Sequence, residues 1–149
     1  MTEKGYKMRP IRKELLVNTI TLYNITKDED GNDLYLDSVI KRCLCYNHKN
    51  TYSVANYTAD KQYSLRILID RRNTYCEDKK YLEPNIWQKT ENKNNFFTFQ
   101  VGDVIIKGVV SEESEESFDE IDLEKFVIKE VNPIQDKDGT IHSWELICV

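Results

Sequence analysis

"FFTFQVGDVIIKGVV", residues 96–110, decides the fold class. Apolar residues crowd both sides of Val101-Gly102-Asp103, which reads as a hairpin-like turn with Gly102 supplying a positive φ. Phe97 and Phe99 stand two apart and share a face, and a strand is expected over 104–110. Gly108 inside that strand marks a bulge or a close backbone approach. The chemistry then inverts. Eight acidic residues fall between Glu112 and Glu124, which reads as a solvated loop with one helical turn near 119–125.

The β pattern continues in both directions. "VNTITLYNIT" (17–26) is β-branched and Tyr-rich, and Asp30-Gly31-Asn32 is turn chemistry. "LYLDSVIKRCLCYN" (34–47), "TYSVANYT" (51–58) and "YSLRILID" (63–70) read as strands two to four. "FVIKEVNPIQ" (126–135) and "TIHSWELICV" (140–149) form a last hairpin about Asp138-Gly139. The expected core is Ile20, Leu22, Ile67, Ile69, Val104, Ile106, Ile128, Trp144 and Leu146. His142, Trp144, Leu146 and Cys148 are expected on one face of the last strand. Seven or so short strands separated by turn signals indicate an all-β domain, a small β-barrel or sandwich over 17–149, with at most one or two short helices. Residues 71–95 interrupt the rhythm as a long mid-chain insertion. Pro84 is suited to open a short helix over 84–90, with Trp87 as its anchor. Residues 1–16 form a basic arm, carrying Lys4, Lys7, Arg9, Arg12 and Lys13. Arm and insertion both lack a continuous apolar face, so both are expected to order on assembly with a partner.

The chain of 149 residues is long enough for one domain with a real core. Its hydrophobic fraction of 40% and charged fraction of 32% describe a globular protein. No apolar run approaches the roughly 20 residues of a membrane helix, and the N-terminus carries no apolar signal region. The net charge of −5 hides a split. Residues 1–75 hold 13 basic and 9 acidic groups, a surplus of four positive, while 76–149 hold 8 basic and 17 acidic, a surplus of nine negative. Such a split bears on association rather than on fold.

Candidate chemistry is sparse. Cys43, Cys45, Cys76 and Cys148 form no C-x-x-C, and Cys43, Cys45 and His48 match no usual zinc template, so reduced, partly buried thiols are expected. The Asp28–Asp33 cluster lacks the glycine and glutamate positions of a calcium loop and reads as a hairpin. No G-x-S-x-G, Gly-rich phosphate loop or H-E-x-x-H occurs. The two histidines, His48 and His142, each have a structural reading. No catalytic residue, metal or cofactor is therefore assigned. A nucleic-acid reading rests on Tyr46, Tyr52, Tyr57, Tyr63 and Tyr75 as stacking groups on an OB-like barrel, and the acidic pI of about 5.1 weighs against it.

The order of features resembles the head–tail joining proteins of long-tailed bacteriophages, the head-closure or stopper family. The resemblance rests on the Gly102-Asp103 turn feeding a strand, on Phe126, Ile128 and Val131, and on the closing Trp144-Glu145-Leu146. It covers most of 17–149. It implies a homo-oligomeric ring in the virion neck, made in the host cytoplasm and stacked between the portal–adaptor assembly and a tail terminator or tail protein. Genomic DNA would pass through its lumen, with no membrane and no catalysis involved. A tail terminator, another neck component or an OB-like single-strand nucleic-acid binder is the alternative. Candidate interface residues under this reading are Arg9, Arg12, Lys13, Arg71, Arg72, Trp87, Glu112, Glu113, Glu115 and Glu116. The acidic run would face either the DNA channel or a basic neighbour. The availability of Arg71 and Arg72 favours the neighbour.

Overall fold

The structure, a computed structural model, describes residues 11–50, 53–54, 57–58, 62–110, 118 and 121–149, with backbone only between 48 and 63. The strands are β1 (Asn18–Lys27), β2 (Asp33–Asn50), β3 (Ser53–Val54), β4 (Tyr57–Thr58), β5 (Gln62–Asp70), β6 (Lys80–Tyr81), β7 (Phe96–Phe97), β8 (Val104–Lys107), β9 (Phe126–Gln135) and β10 (Ile141–Cys148). One short helix, α1 (Pro84–Lys89), joins them. Six strands close an antiparallel barrel in the order β1-β2-β5-β10-β9-β8. The fold is thus all-β, as the strand pattern indicated, and of the barrel and sandwich left open by that pattern it is the barrel. The segment expected as strand 51–58 instead contains the two short strands β3 and β4, which pair with each other.

β2 is shared by both halves of the barrel. It pairs with β1 from Asp33 to Cys43 and with β5 from Leu44 to Asn50. The change of partner falls at a bulge, where Asn18 faces Cys43 and Thr19 faces Lys41, leaving Arg42 extra. Arg42 has φ +60°, the left-handed region that costs a non-glycine residue about 1–2 kcal/mol. The inserted residue shifts the inward phase, so Ser38 and Ile40 are followed inside by Cys43. The neighbouring backbone holds the bulge in place. Lys41 N donates to Tyr75 O at 2.8 Å and Tyr75 N returns to Lys41 O at 3.0 Å. The Thr74 hydroxyl donates to Arg42 O at 2.5 Å, and Cys45 N donates to Asn18 Oδ1 at 2.9 Å.

All nine expected core residues are buried. Ile20, Leu22, Ile67, Ile69, Ile128, Trp144 and Leu146 fill the interior. Val104 and Ile106 belong to a second cluster with Tyr23 and Ile121. Phe118 extends it, stacking on Tyr35 with centroids 4.0 Å apart and meeting Tyr23 edge-on at 4.9 Å. Aromatic and aliphatic contacts therefore anchor the C-terminal side of the acidic run. On β9 and β10, Val131 pairs with Leu146 and Pro133 with Trp144. A register shift between Ile141 and Ser143 brings Ser143 inside beside Trp144 and leaves His142 partly exposed, so His142 does not join the buried face expected for it.

The 96–110 stretch differs from a simple hairpin. β7 pairs parallel with β6, and β8 pairs with β1 and β9, so the two arms of the turn do not pair with each other. The reason is that both edges of β8 are already taken, while Phe97 and Phe99 turn inward over one end of the barrel. There they stack with Tyr81 and Trp144, at centroid separations between 4.8 and 5.9 Å. Buried Asn24 stands in for the missing strand partner. Its Nδ2 donates to Thr98 O at 2.8 Å and its Oδ1 accepts from Thr98 N at 3.2 Å. The turn itself behaves as expected, with Gly102 at φ +95°. β8 stops at Lys107 rather than 110, because Gly108 takes φ +84° and donates its N–H to Thr19 O.

The described parts of the two segments expected to order on a partner both contact the barrel. The insertion packs onto the barrel core through Tyr81 and fully buries Trp87, with no apolar periodicity around either to reveal it. The described part of the arm is pinned as well: Leu16 is buried, and Ile11 bonds to β5. Residues 1–10 lie outside the described residues.

Three outcomes follow. Trp144→Ala should cost about 3–5 kcal/mol in denaturant unfolding, since it removes a buried ring that packs on Tyr81 and Phe99. Arg42→Gly should unfold within about 1 kcal/mol of the parent, whereas the β-branched Arg42→Val should lose about 1–2 kcal/mol. Asp103 supplies the third. It is buried and accepts hydrogen bonds from Asn24 Nδ2 (2.7 Å), Gln100 Nε2 (3.0 Å) and Ile25 N (3.1 Å). Burial pushes its carboxyl up to about 6 against the pull of those donors. Between about pH 4 and pH 6 the folded chain holds a proton that the unfolded chain has released. Stability should therefore fall as pH rises through that window, by up to about 3 kcal/mol. Asp103→Asn should lack this slope when the two are compared in denaturant melts at pH 4 and 6.5.

Candidate functional site

β5 ends at Asp70, and that buried carboxylate organises the surface around it. Its Oδ2 accepts from Ile11 N at 2.7 Å and from Asn73 Nδ2 at 3.3 Å, and its Oδ1 accepts from Arg72 N at 2.9 Å. Asn73 Nδ2 also donates to Ile11 O at 3.1 Å, and Arg71 N donates to His142 O at 3.2 Å. One acidic side chain, removed from solvent, thus ties the start of the described chain to the turn after β5. Arg12, Lys13, Arg71 and Arg72 flank this tie, all exposed, and none makes an ion pair among the described residues. The structure brings together four residues that the sequence supplied from two places about sixty positions apart. Sequence reasoning missed a fifth. Arg42, exposed at the bulge, is bonded through its carbonyl to Thr74 of the same turn. Leu15 and Val17, 53% and 72% exposed, extend the cluster with aliphatic surface.

The remaining expected interface residues divide differently. Trp87 is fully buried beneath α1, with Lys93 Nζ 5.5 Å from its ring centroid. It supports the insertion and offers no surface to a partner, because the helix it anchors packs it inward. Arg9, Glu112, Glu113, Glu115 and Glu116 lie outside the described residues.

Beside the basic cluster runs an apolar groove that the sequence reading did not foresee. Two adjoining cavities of about 400 and 450 Å³ share Tyr81, Phe99, Ile141 and Trp144. Glu83 lines both cavities, and Arg71 lines the first. The groove exists because β6, β7 and the 98–101 segment cover the barrel end beyond the point where β8 turns away. The signal available was the spacing of Tyr81, Phe97, Phe99 and Trp144, too scattered along the chain to be joined without the fold.

The other candidate groups have structural surroundings. Cys43 and Cys148 are fully buried thiols, and desolvation pushes Cys148 up to about 12. Hydrogen bonding between Cys43 and Cys45 raises the former and lowers the latter. Among the described residues no three His, Cys, Asp or Glu side chains gather as a metal site. Asp28 Oδ1 accepts from Asp30 N and Asn32 N, which gives the acidic 28–33 segment its hairpin role. His142 Nδ1 sits 3.1 Å from the Ser143 hydroxyl, and neither residue lines the two cavities. Of the tyrosines, Tyr46 and Tyr75 are exposed, and the hydroxyl of Tyr46 donates to Glu145 Oε2 at 3.2 Å. The side chains of Tyr52, Tyr57 and Tyr63 lie outside those described. Among the described residues no helix is long and apolar enough to cross a membrane.

No curated protein and no solved structure matches the chain. One family does match, across residues 15–149, which takes in the whole barrel and the basic turn: the chain belongs to DUF6751, a family of unknown function.

Proposed function

We propose that this chain is a structural, non-catalytic component of the neck of a tailed bacteriophage, a head-closure ring joining the portal–adaptor assembly to the tail. The observation that carries the reading is the exposed cluster of Arg12, Lys13, Arg71 and Arg72, assembled around buried Asp70 at one end of the barrel. A ring needs two different complementary surfaces on each subunit. The basic cluster, with aliphatic Leu15 and Val17 beside it, is one such surface. The acidic second half of the chain supplies the complementary charge for a neighbour. The barrel and the adjacent Val131–Leu146 and Pro133–Trp144 pairs are consistent with the resemblance that suggested this role. In the assembled neck the subunits would sit in the virion, with DNA passing along the ring axis.

Native mass measurement on the purified chain, alone and with portal–adaptor and tail-terminator proteins, tests the proposal. A ring of single copy number is expected at low salt. It should dissociate as salt rises and fail to form for Arg71→Glu/Arg72→Glu, whose melting temperature should stay near that of the parent. A chain that stays monomeric under every condition, or that binds oligonucleotide tightly and salt-sensitively as a monomer, overturns the ring and favours the nucleic-acid reading.

A further inference from the structure

We infer that the groove floored by Tyr81, Phe99 and Trp144 is a docking site for an extended peptide segment of a partner protein. That segment would carry two apolar side chains two residues apart, with carboxylates at the Arg71 end. The inference shares Arg71 with the proposed ring contact but rests on the shape, edges and charge of the groove, and Val101, outside that contact, tells the two apart.

The two cavities adjoin along one continuous aromatic floor, so the site is elongated and has two compartments. An extended chain presents residues i and i+2 on one face about 7 Å apart, which suits two neighbouring compartments. The second compartment offers Val131 and Pro133 along one wall and Val101 on the other to one of those side chains, and the first offers Ile69 and Phe97 to the other, beside the polar Thr74 and Gln135. Val101 is 64% exposed, an aliphatic side chain left in water at the groove's lip.

β8 accompanies β9 only at Phe126 and Val127, and the Gly102-Asp103 turn then bonds to Ile128. From Lys129 to Gln135 the outer edge of β9 has no strand beside it among the described residues. That edge is a poor template for a full ladder. Pro133 lacks a donor, and Lys129 is the extra residue where the pairing of β9 with β10 slips. Recognition therefore has to come mainly from side chains in the groove, with few backbone bonds.

Arg71 lines the first cavity without an acidic partner among the described residues, and Arg72 and Arg12 stand next to it. Asp70 lines the same cavity, but its oxygens already accept from Ile11 N, Arg72 N and Asn73 Nδ2. Glu83 lines both compartments and repels a carboxylate placed midway. An acidic residue is thus welcome at the Arg71 end alone, which gives the bound segment a polarity.

Selection of a displayed library of random twelve-residue peptides on the full chain tests this. The enriched peptides should share an apolar-x-apolar core with an acidic residue on one side only. A fluorescent copy of one selected peptide should bind the parent protein and lose at least tenfold in affinity on Val101→Glu, and at least fivefold on Arg71→Glu. Both positions are exposed, so both variants should fold; Pro133→Glu on the opposite wall is the substitute if Val101→Glu does not. Absence of that motif, or binding indifferent to both substitutions, overturns the proposal. So does a change in oligomer mass caused by Val101→Glu, which would assign the groove to a second copy of this chain.

Discussion

A six-stranded barrel closes only if one strand bends from one half of the sheet into the other, and here that constraint falls on Arg42. β2 runs for 18 residues and serves β1 and β5 in turn, so its inward side must change phase where the partner changes. An extra residue in the left-handed region does this at a cost of about 1–2 kcal/mol. The compensation comes from the 74–75 segment, whose bonds to Lys41 and Arg42 hold the bulge from outside. That same segment belongs to the turn that Asp70 organises. The device that closes the barrel therefore also fixes the position of the basic surface.

A second polar group governs the opposite problem, how to stop a strand. Asn24 is buried on β1, and its amide bonds both edges of the Thr98 peptide and the Asp103 carboxylate. Without it the 97–100 segment would have unpaired backbone over an apolar cluster, which is costly. With it, Phe97 and Phe99 are held over the barrel end and the groove has a floor. The visible ion pairs contribute far less. Lys27–Asp33 and Lys41–Glu77 lie on the surface, where such pairs stabilise by at most about 1 kcal/mol.

Much of the barrel was legible because its strands alternate over lengths that helices do not. β9 matches its expected range, and Ile67, Ile69, Ile128 and Leu146 declare their side by period alone. The break in phase at Lys41-Arg42 followed by Cys43 was also present as a pattern, although it reads equally well as one continuous strand. What sequence could not show was contact between distant, non-periodic residues. Tyr81, Trp87 and Phe97 lie in or beside a polar stretch, and their burial depends on a barrel end that exists only in three dimensions. The same holds for the basic cluster: Arg12 and Arg71 were each evident as charges, but their meeting depends on Asp70, an inconspicuous strand-end residue. Trp87 was correctly read as a helix anchor. Its role as a contact for partners fails for the same reason, since an anchor faces inward.

The short β8 has a consequence for how the chain reaches this structure. Its four residues join β1, with partners such as Ile20 and Lys107 more than eighty positions apart, whereas β9 and β10 form a local hairpin. Closing so long a loop costs chain entropy before many contacts reward it, and β8 offers few. The two-strand seam at β8 would thus be the last part of the barrel to set and the first to open. A refolding chain would carry its hairpins as separate units until residues 104–107 dock between β1 and β9 and lock them.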